Sequence, residues 1–295
     1  MRIGTFSDGR ERRVAVEREG SWEVLPVGEG EERPTILAAL ADPVAALGAA
    51  DAGPLPPGFE PAMPYRPARD VFCLGKNYRA HAEEFARFSG EAQAVPPAPV
   101  VFTKAVDALC GPSDLLVVPA DLAGGLDYEA ELAVVIGRAG QSIPAGEALG
   151  YVAGYSVLND TTARDLQRTH AQWYLGKSLP GATPWGPCIV TPDELEPFAE
   201  RGIGAEVNGD RRQDAVLGQM IFTVADAIAS ISRVVALVPG DVIAMGTPSG
   251  VGVGFDPPRF LGEGDEVRCW IEGIGEVRNR VAVRQAVAAG GAVVE

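Results

Sequence analysis

The sequence predicts an α+β fold built mainly from strands, and three observations carry that reading. Short β-like runs bounded by Gly, Pro, Asp or Asn outnumber the helical patterns. The two do not alternate regularly, which argues against a doubly wound nucleotide-binding fold. The chain has 295 residues, of which 46% are hydrophobic and 22% charged, enough for one large domain and a small one.

Residues 1 to about 50 alternate short apolar stretches with polar turns (RRVAVEREG, SWEVLPVG) and then give a helix-like TILAALADPVAALGAA. Residues 52–67, AGPLPPGFEPAMPYRP, are dense in Pro and Gly and read as a linker or a surface strap. A boundary near residue 66 follows, with a small N-terminal α/β domain and linker over 1–66 and a larger domain over 67–295. The larger domain runs through DVFCLG, PVVFTKA, DLLVVPA, AELAVVIG, YVAGYSVLND, CIVT, GAEVNG, GDVIAMG and EVRCWIEG, all strand-like. Its helical patterns are NYRAHAEEFARF, TARDLQRTHAQWYL and TVADAIASISRVVA, the last with Thr223 as a helix N-cap.

Composition excludes several classes. The formal net charge of −15, with no local Lys/Arg cluster, disfavours nucleic acid and anionic membrane as partners. No apolar run approaches the roughly 20 residues that span a bilayer, and MRIGTFSDGRERR lacks the apolar stretch of a signal peptide, so a cytoplasmic protein is the default. Cys73, Cys110, Cys188 and Cys269 form no C-x-x-C and sit mostly within apolar runs, which predicts buried free thiols. Of the 25 basic residues only Lys76, Lys104 and Lys177 are Lys, and His81 and His170 are the two histidines, all in the central region. Either chance explains this, or Lys is kept where a compact, deprotonatable charge is needed.

Chemistry concentrates in four segments. In LDYEAELAVVIG, residues 126–137, Asp127, Glu129 and Glu131 alternate, so a strand would place them on one face. That face is either a solvated edge or a cation site, and Asp160 at the end of YVAGYSVLND is placed to join it. Oxygen donors without His or Cys suit Mg²⁺ or Mn²⁺ and not zinc. In GKNYRAHAEEF, His81 and Glu84 are three apart and share a helix face. They form either a general base or an incidental pair on an exposed helix. YLGKSLPGATPWGP contains GKS, but a phosphate loop needs Gly at 171, where Ala171 stands. Lys177 in a Gly/Pro-rich loop can instead polarise a carbonyl or stabilise an oxyanion. GDVIAMGTPSGVGVGF, residues 240–255, is spaced wrongly for GxGxxG. It reads as a turn whose N–H groups and Thr247 hydroxyl hold a small anion, or as an ordinary structural turn. No G-x-S-x-G or H-E-x-x-H is present, which removes the main support for serine hydrolase and zinc protease readings.

Taken in order, GKNYRAHAEE, FTK at 102–104, DYEAELAVVIG, GYSVLNDTTARDLQ, GKS with TPWGP, and GDVIAMGTPSGVG resemble the fumarylacetoacetate hydrolase family over roughly residues 70–285. The likeness extends to its bacterial acylpyruvate hydrolase and 2-hydroxyhepta-2,4-diene-1,7-dioate isomerase-like members. The resemblance implies a β-rich catalytic domain, a homodimer, and Mg²⁺ or Mn²⁺ (Ca²⁺ where a crystal supplies it) held by Glu129, Glu131 and Asp160. Asp127 falls outside the matched ligands. It implies His81 and Glu84 on a lid segment, Lys177 in the active site, and Arg164, Gln167 and Thr247 as contacts to a small anionic keto-acid substrate. Lys104 lies in a matched block without an implied role. The implied reaction is hydrolysis of a carbon–carbon bond in an acylpyruvate-type 1,3-diketo acid, leaving a pyruvate enolate stabilised by the ion and Lys177. The same scaffold supports oxaloacetate-type decarboxylation and dienedioate isomerisation, and a non-catalytic metal-binding protein is a further alternative. Substrate choice is expected to depend on residues 86–98 and 168–175 and on the N-terminal domain.

Overall fold

The computed structural model describes residues 1–26, 31–49, 53–89, 95–170 and 172–285, and strands dominate it, as the sequence predicts. Among the described residues the largest sheet has eleven strands, nine along one path, with Glu60–Ala62 paired to Arg2–Ser7 and Leu109–Cys110 to Thr183–Val190 off it. Its path runs from Ser21–Val24 through Arg12–Arg18, Arg2–Ser7, Thr183–Val190, Val152–Asn159, Ala130–Ile136, Val242–Ala244 and Val71–Gly75 to Val100–Lys104. A five-stranded sheet orders Asp210–Val216, Gly202–Val207, Glu266–Ile271, Gly275–Arg284 and Leu116–Pro119.

The strand Ala130–Ile136 lies near the middle of the large sheet and every residue in it is buried. Alternate side chains point to opposite faces, so a strand covered on both sides reads as one apolar run. Leu132, Val134 and Ile136 accordingly join one core, while Ala133 and Val135 join a second core behind the sheet. The first core also takes Ile203, Ala205, Val267 and Cys269 from the five-stranded sheet, so the two sheets share one apolar interior. Glu131, on the Ala133 side, is the polar residue that interrupts this strand.

Arg2–Ser7 pairs with Thr183–Val190 at Arg2↔Val190 and Ile3↔Ile189, so the sheet runs on across the boundary expected near residue 66. The helical run expected over 35–50 is instead two helices, Glu32–Ala41 and Pro43–Ala49. Pro43 lacks the N–H that would continue the first helix, and the Asp42 carboxylate accepts the Ala45 N–H at 2.9 Å to restart it. The strap's Ala52 and the final Ala50 of the helical run lie outside the described residues. Thr223 caps Val224–Ser232 through a reciprocal box with Asp226, as read from the sequence. All four cysteines are buried free thiols. Among the described residues no helix is long and apolar enough to cross a membrane.

Candidate active site

Strand register builds the acidic cluster. Antiparallel pairing sets Ala130 opposite Asn159, and one residue further the Asp160 N–H donates to the Glu129 carbonyl at 2.9 Å. Asn159 Oδ1 accepts the Glu129 N–H at 3.0 Å and fixes the same corner. Ligand atoms of Glu129, Glu131 and Asp160 all fall within 4.8 Å of one another. The solvated-edge reading fails, because Glu129, Glu131 and Asp160 are 4%, 1% and 0% exposed.

Basic side chains neutralise part of the cluster. Lys177 Nζ lies 2.7 Å from both Glu129 and Asp160, and Arg164 Nη2 donates to Glu129 at 2.6 Å. Lys104, fully buried, donates to Asp160 and, at 2.8 Å, to the Thr161 carbonyl. Glu131 accepts the backbone N–H of Gly246 at 2.9 Å. The carboxyls then diverge. Burial works to raise Glu129, but Lys177 and Arg164 outweigh it and hold the group down at about 2. Burial raises Glu131 as well, and there Asp160 and Glu129 add to it, so this carboxyl sits well above the ordinary range. Burial pulls Lys177 down while Asp160 and Glu129 more than restore it, leaving its ammonium raised.

This donor set fits a hard divalent cation. Three carboxylates converge without His or Cys, and the two that lie beside Glu131 push it toward its protonated form. A divalent ion held by Glu129, Glu131 and Asp160 would favour the ionised form of all three carboxylates.

A second group approaches from the helix Arg79–Ser89. The chain leaves strand Val71–Gly75 through Lys76, in a left-handed conformation with φ 57°. Asn77 then pins the entry to the helix, its Nδ2 donating to the Phe222 and Met245 carbonyls at 3.0 and 2.8 Å. The helix therefore starts at Arg79, two residues later than the sequence pattern. His81 Nδ1 stands 3.3 Å from Glu84 Oε2, and both side chains are buried, against the exposed-helix alternative. Glu84 is held in turn by the Gly250 N–H at 3.2 Å. With Nδ1 donating to Glu84, the ring's lone pair is on Nε2.

His81, Glu129, Glu131, Arg164, Lys177 and Thr247 line one cavity, with Gln167 beside Arg164. Phe85, Phe102 and Trp173 close its apolar side, the Trp173 ring meeting the other two edge-on at 5.6 and 5.2 Å. The free space is about 20 Å³, room for a water-sized guest.

Several expectations need correction. The helix expected over 162–175 is two short ones, Arg164–Thr169 and Tyr174–Lys177, and Lys177 ends the second instead of lying in a loop. The N–H groups of the 246–253 segment hold the protein's own carboxylates, and Thr247 Oγ1 accepts from Gln213 Nε2 at 2.7 Å. Asp127 takes the Gly252 and Val253 N–H groups at 2.6 and 3.1 Å and the Arg164 Nε at 2.8 Å, so it positions Arg164. Arg164 in turn donates to Gln167 at 2.9 Å. The sequence reading left Lys104 without a role, although the scarcity of Lys had singled it out. Residues 90–94 and Ala171, within the segments expected to govern substrate choice, lie outside the described residues.

Comparisons with known proteins identify the family. The family described as fumarylacetoacetate (FAA) hydrolase C-terminal matches residues 70–282. Oxaloacetate tautomerase YisK of Bacillus subtilis is 41% identical over 216 residues, 73% of this chain and 70% of that protein. The structure of a fumarylacetoacetate hydrolase from psychrophilic Exiguobacterium antarcticum superposes with a TM-score of 0.82 at 38% identity, covering 96% of this chain and 100% of the other. Fumarylpyruvate hydrolase from Pseudomonas aeruginosa, solved with Mn²⁺ and pyruvate, gives 0.64 at 32% identity over 73% of this chain and 90% of its own. By its sequence, its fold and the ordered blocks that build its acidic cavity, this chain belongs to the fumarylacetoacetate hydrolase family.

Proposed function

We infer that the protein hydrolyses a carbon–carbon bond in small acylpyruvate-type 1,3-diketo acids and releases pyruvate. The observation that carries this reading is His81, paired with Glu84, lining the same cavity as Glu129 and Glu131 of the carboxylate triad. An ion held only for structure needs no such base beside it.

A bound Mg²⁺ or Mn²⁺ would supply Lewis acidity toward the carboxylate and 2-oxo oxygens of the substrate. Glu84 holds the imidazole so that His81 Nε2 takes a proton from water as its oxygen attacks the distal carbonyl. The carbon–carbon bond breaks toward the 2-oxo side, and the His81 proton passes to the carbon that becomes the pyruvate methyl. Lys177 spends two of its three N–H donors on Glu129 and Asp160, which leaves one for developing negative charge. Arg164, held by Asp127, would grip the substrate carboxylate.

A second reading, keto–enol tautomerisation or decarboxylation of oxaloacetate, draws support from the 41% identity to a protein named oxaloacetate tautomerase. There His81 would move a proton at the carbon beside the 2-oxo group, and no water would attack. One experiment separates the two. Purified protein is given acetylpyruvate or oxaloacetate, with Mg²⁺ or Mn²⁺ and again with EDTA, while pyruvate and the enol absorbance are followed. Metal-dependent pyruvate from acetylpyruvate is the expected result. Conversion of oxaloacetate without pyruvate from acetylpyruvate moves the assignment to the second reading, and inactivity on both overturns the two together.

A further inference from the structure

Glu84 is held by a segment distant in sequence from its own helix. The chain after strand Val242–Ala244 donates backbone N–H groups to three buried acids on three different elements: Gly246 to Glu131, Gly250 to Glu84, and Gly252 with Val253 to Asp127. Each of these acids belongs to a different part of the site, namely the triad, the base pair and the Arg164 anchor.

The glycines of this segment serve different purposes. Gly250 has φ 99°, and a Cβ there would run into the Arg212 carbonyl, so its glycine is required by the loop itself. Gly254 is outside the left-handed region, so alanine is conformationally acceptable there. A Cβ at Gly254 would nonetheless overlap Glu84, and its three nearest heavy atoms all belong to the Glu84 side chain. The residue is glycine because a carboxylate occupies the space where a side chain would stand.

The geometry points to Gly254 as a positioning residue. With the Gly250 N–H it forms the seat that fixes Glu84, and through Glu84 the His81 ring. The same segment also donates N–H groups to Glu131 and Asp127, so the helix packs against the element that supports a triad carboxylate and the Arg164 anchor. The seat exists whichever 2-oxo acid is turned over, while its kinetic readout rests on the function proposed above.

The test uses the full chain as Gly254→Ala, Glu84→Ala and the double variant, read by Mn²⁺ calorimetry, hydrogen exchange over residues 79–89, and kcat and KM. Gly254→Ala should keep Mn²⁺ affinity within about twofold and raise exchange across the helix. It should also lower kcat by about tenfold or more with KM near native, the scale of a misplaced base. In the Glu84→Ala background the added methyl no longer meets the Glu84 carboxylate and should change nothing further. Native kcat and native exchange in Gly254→Ala overturn the proposal, as do equal losses in both backgrounds. If Gly254→Ala fails to fold while the double variant folds, the seat is supported, and if both fail the glycine serves the loop and the proposal falls. Should no substrate be turned over, exchange and calorimetry still decide the seat, and the functional reading fails separately.

Discussion

The two halves of the candidate site are built to different standards of rigidity. The carboxylate triad stands at the ends of paired strands within the largest sheet, with Glu131 inside a fully buried strand. Moving it means breaking ladder hydrogen bonds on both sides. The His81–Glu84 pair rides on one helix of eleven residues and is fixed by a 3.3 Å contact and by the Gly250 N–H. Local opening favours elements with few buried contacts over central strands. Under the proposed function the ion-binding half would be the more rigid and the His81–Glu84 half the more readily displaced, so the two should break separately.

The largest effect is expected on the rigid half. Glu129→Ala should abolish metal-dependent turnover, and Glu131→Ala likewise, assayed as Mg²⁺-stimulated pyruvate release. Full Mg²⁺ stimulation in either would refute the assignment of the triad. Lys104→Met should come next, destabilising the fold by about 3 kcal/mol, since it removes a fully buried cation from Asp160. Denaturant unfolding measures this, and an unchanged midpoint would mean Lys177 alone compensates Asp160.

His81→Ala breaks the other half. Turnover should fall about a hundredfold, or about 2.7 kcal/mol, while Mn²⁺ binding is kept. A native rate would remove water activation from the mechanism.

The smallest effect is a pH dependence that belongs to the triad alone. The folded-state value of Glu131 is raised, so its contribution to the stability of the metal-free protein is full below the unfolded value and is lost as pH rises through the folded one. Glu129 runs the other way, and its contribution is lost as pH falls from about 4.5 toward about 2. Melting temperatures in EDTA should therefore decline as Glu131 ionises, and saturating Mg²⁺ should remove that decline. Identical pH profiles with and without Mg²⁺ would place the ion elsewhere.

The same contrast explains what could be read in the sequence. The triad was legible because alternating acids ahead of an apolar run, and an Asp at the end of the next run, are local patterns that strand geometry converts into proximity. The strand-rich class followed from the same local runs. Asp210–Val216 escaped because its inward residue is polar: buried Gln213 accepts the Ala130 N–H at 2.9 Å and donates to Thr247, work that hydrophobicity does not reveal. Arg2–Ser7 owes its place to a partner strand near residue 190. The expected helix over 162–175 splits where His170 turns extended, with φ −100° and ψ 136°. The role of Lys104 depends on an Asp 56 positions away, and that of Gly254 on Glu84, contacts that only the tertiary fold creates.

Mn²⁺ calorimetry on the wild type, His81→Ala and Asp160→Ala tests the division of labour most directly. One site per chain is expected, with equal affinity in wild type and His81→Ala and no binding in folded Asp160→Ala. Wild-type affinity in Asp160→Ala, or loss of binding in His81→Ala, would contradict it.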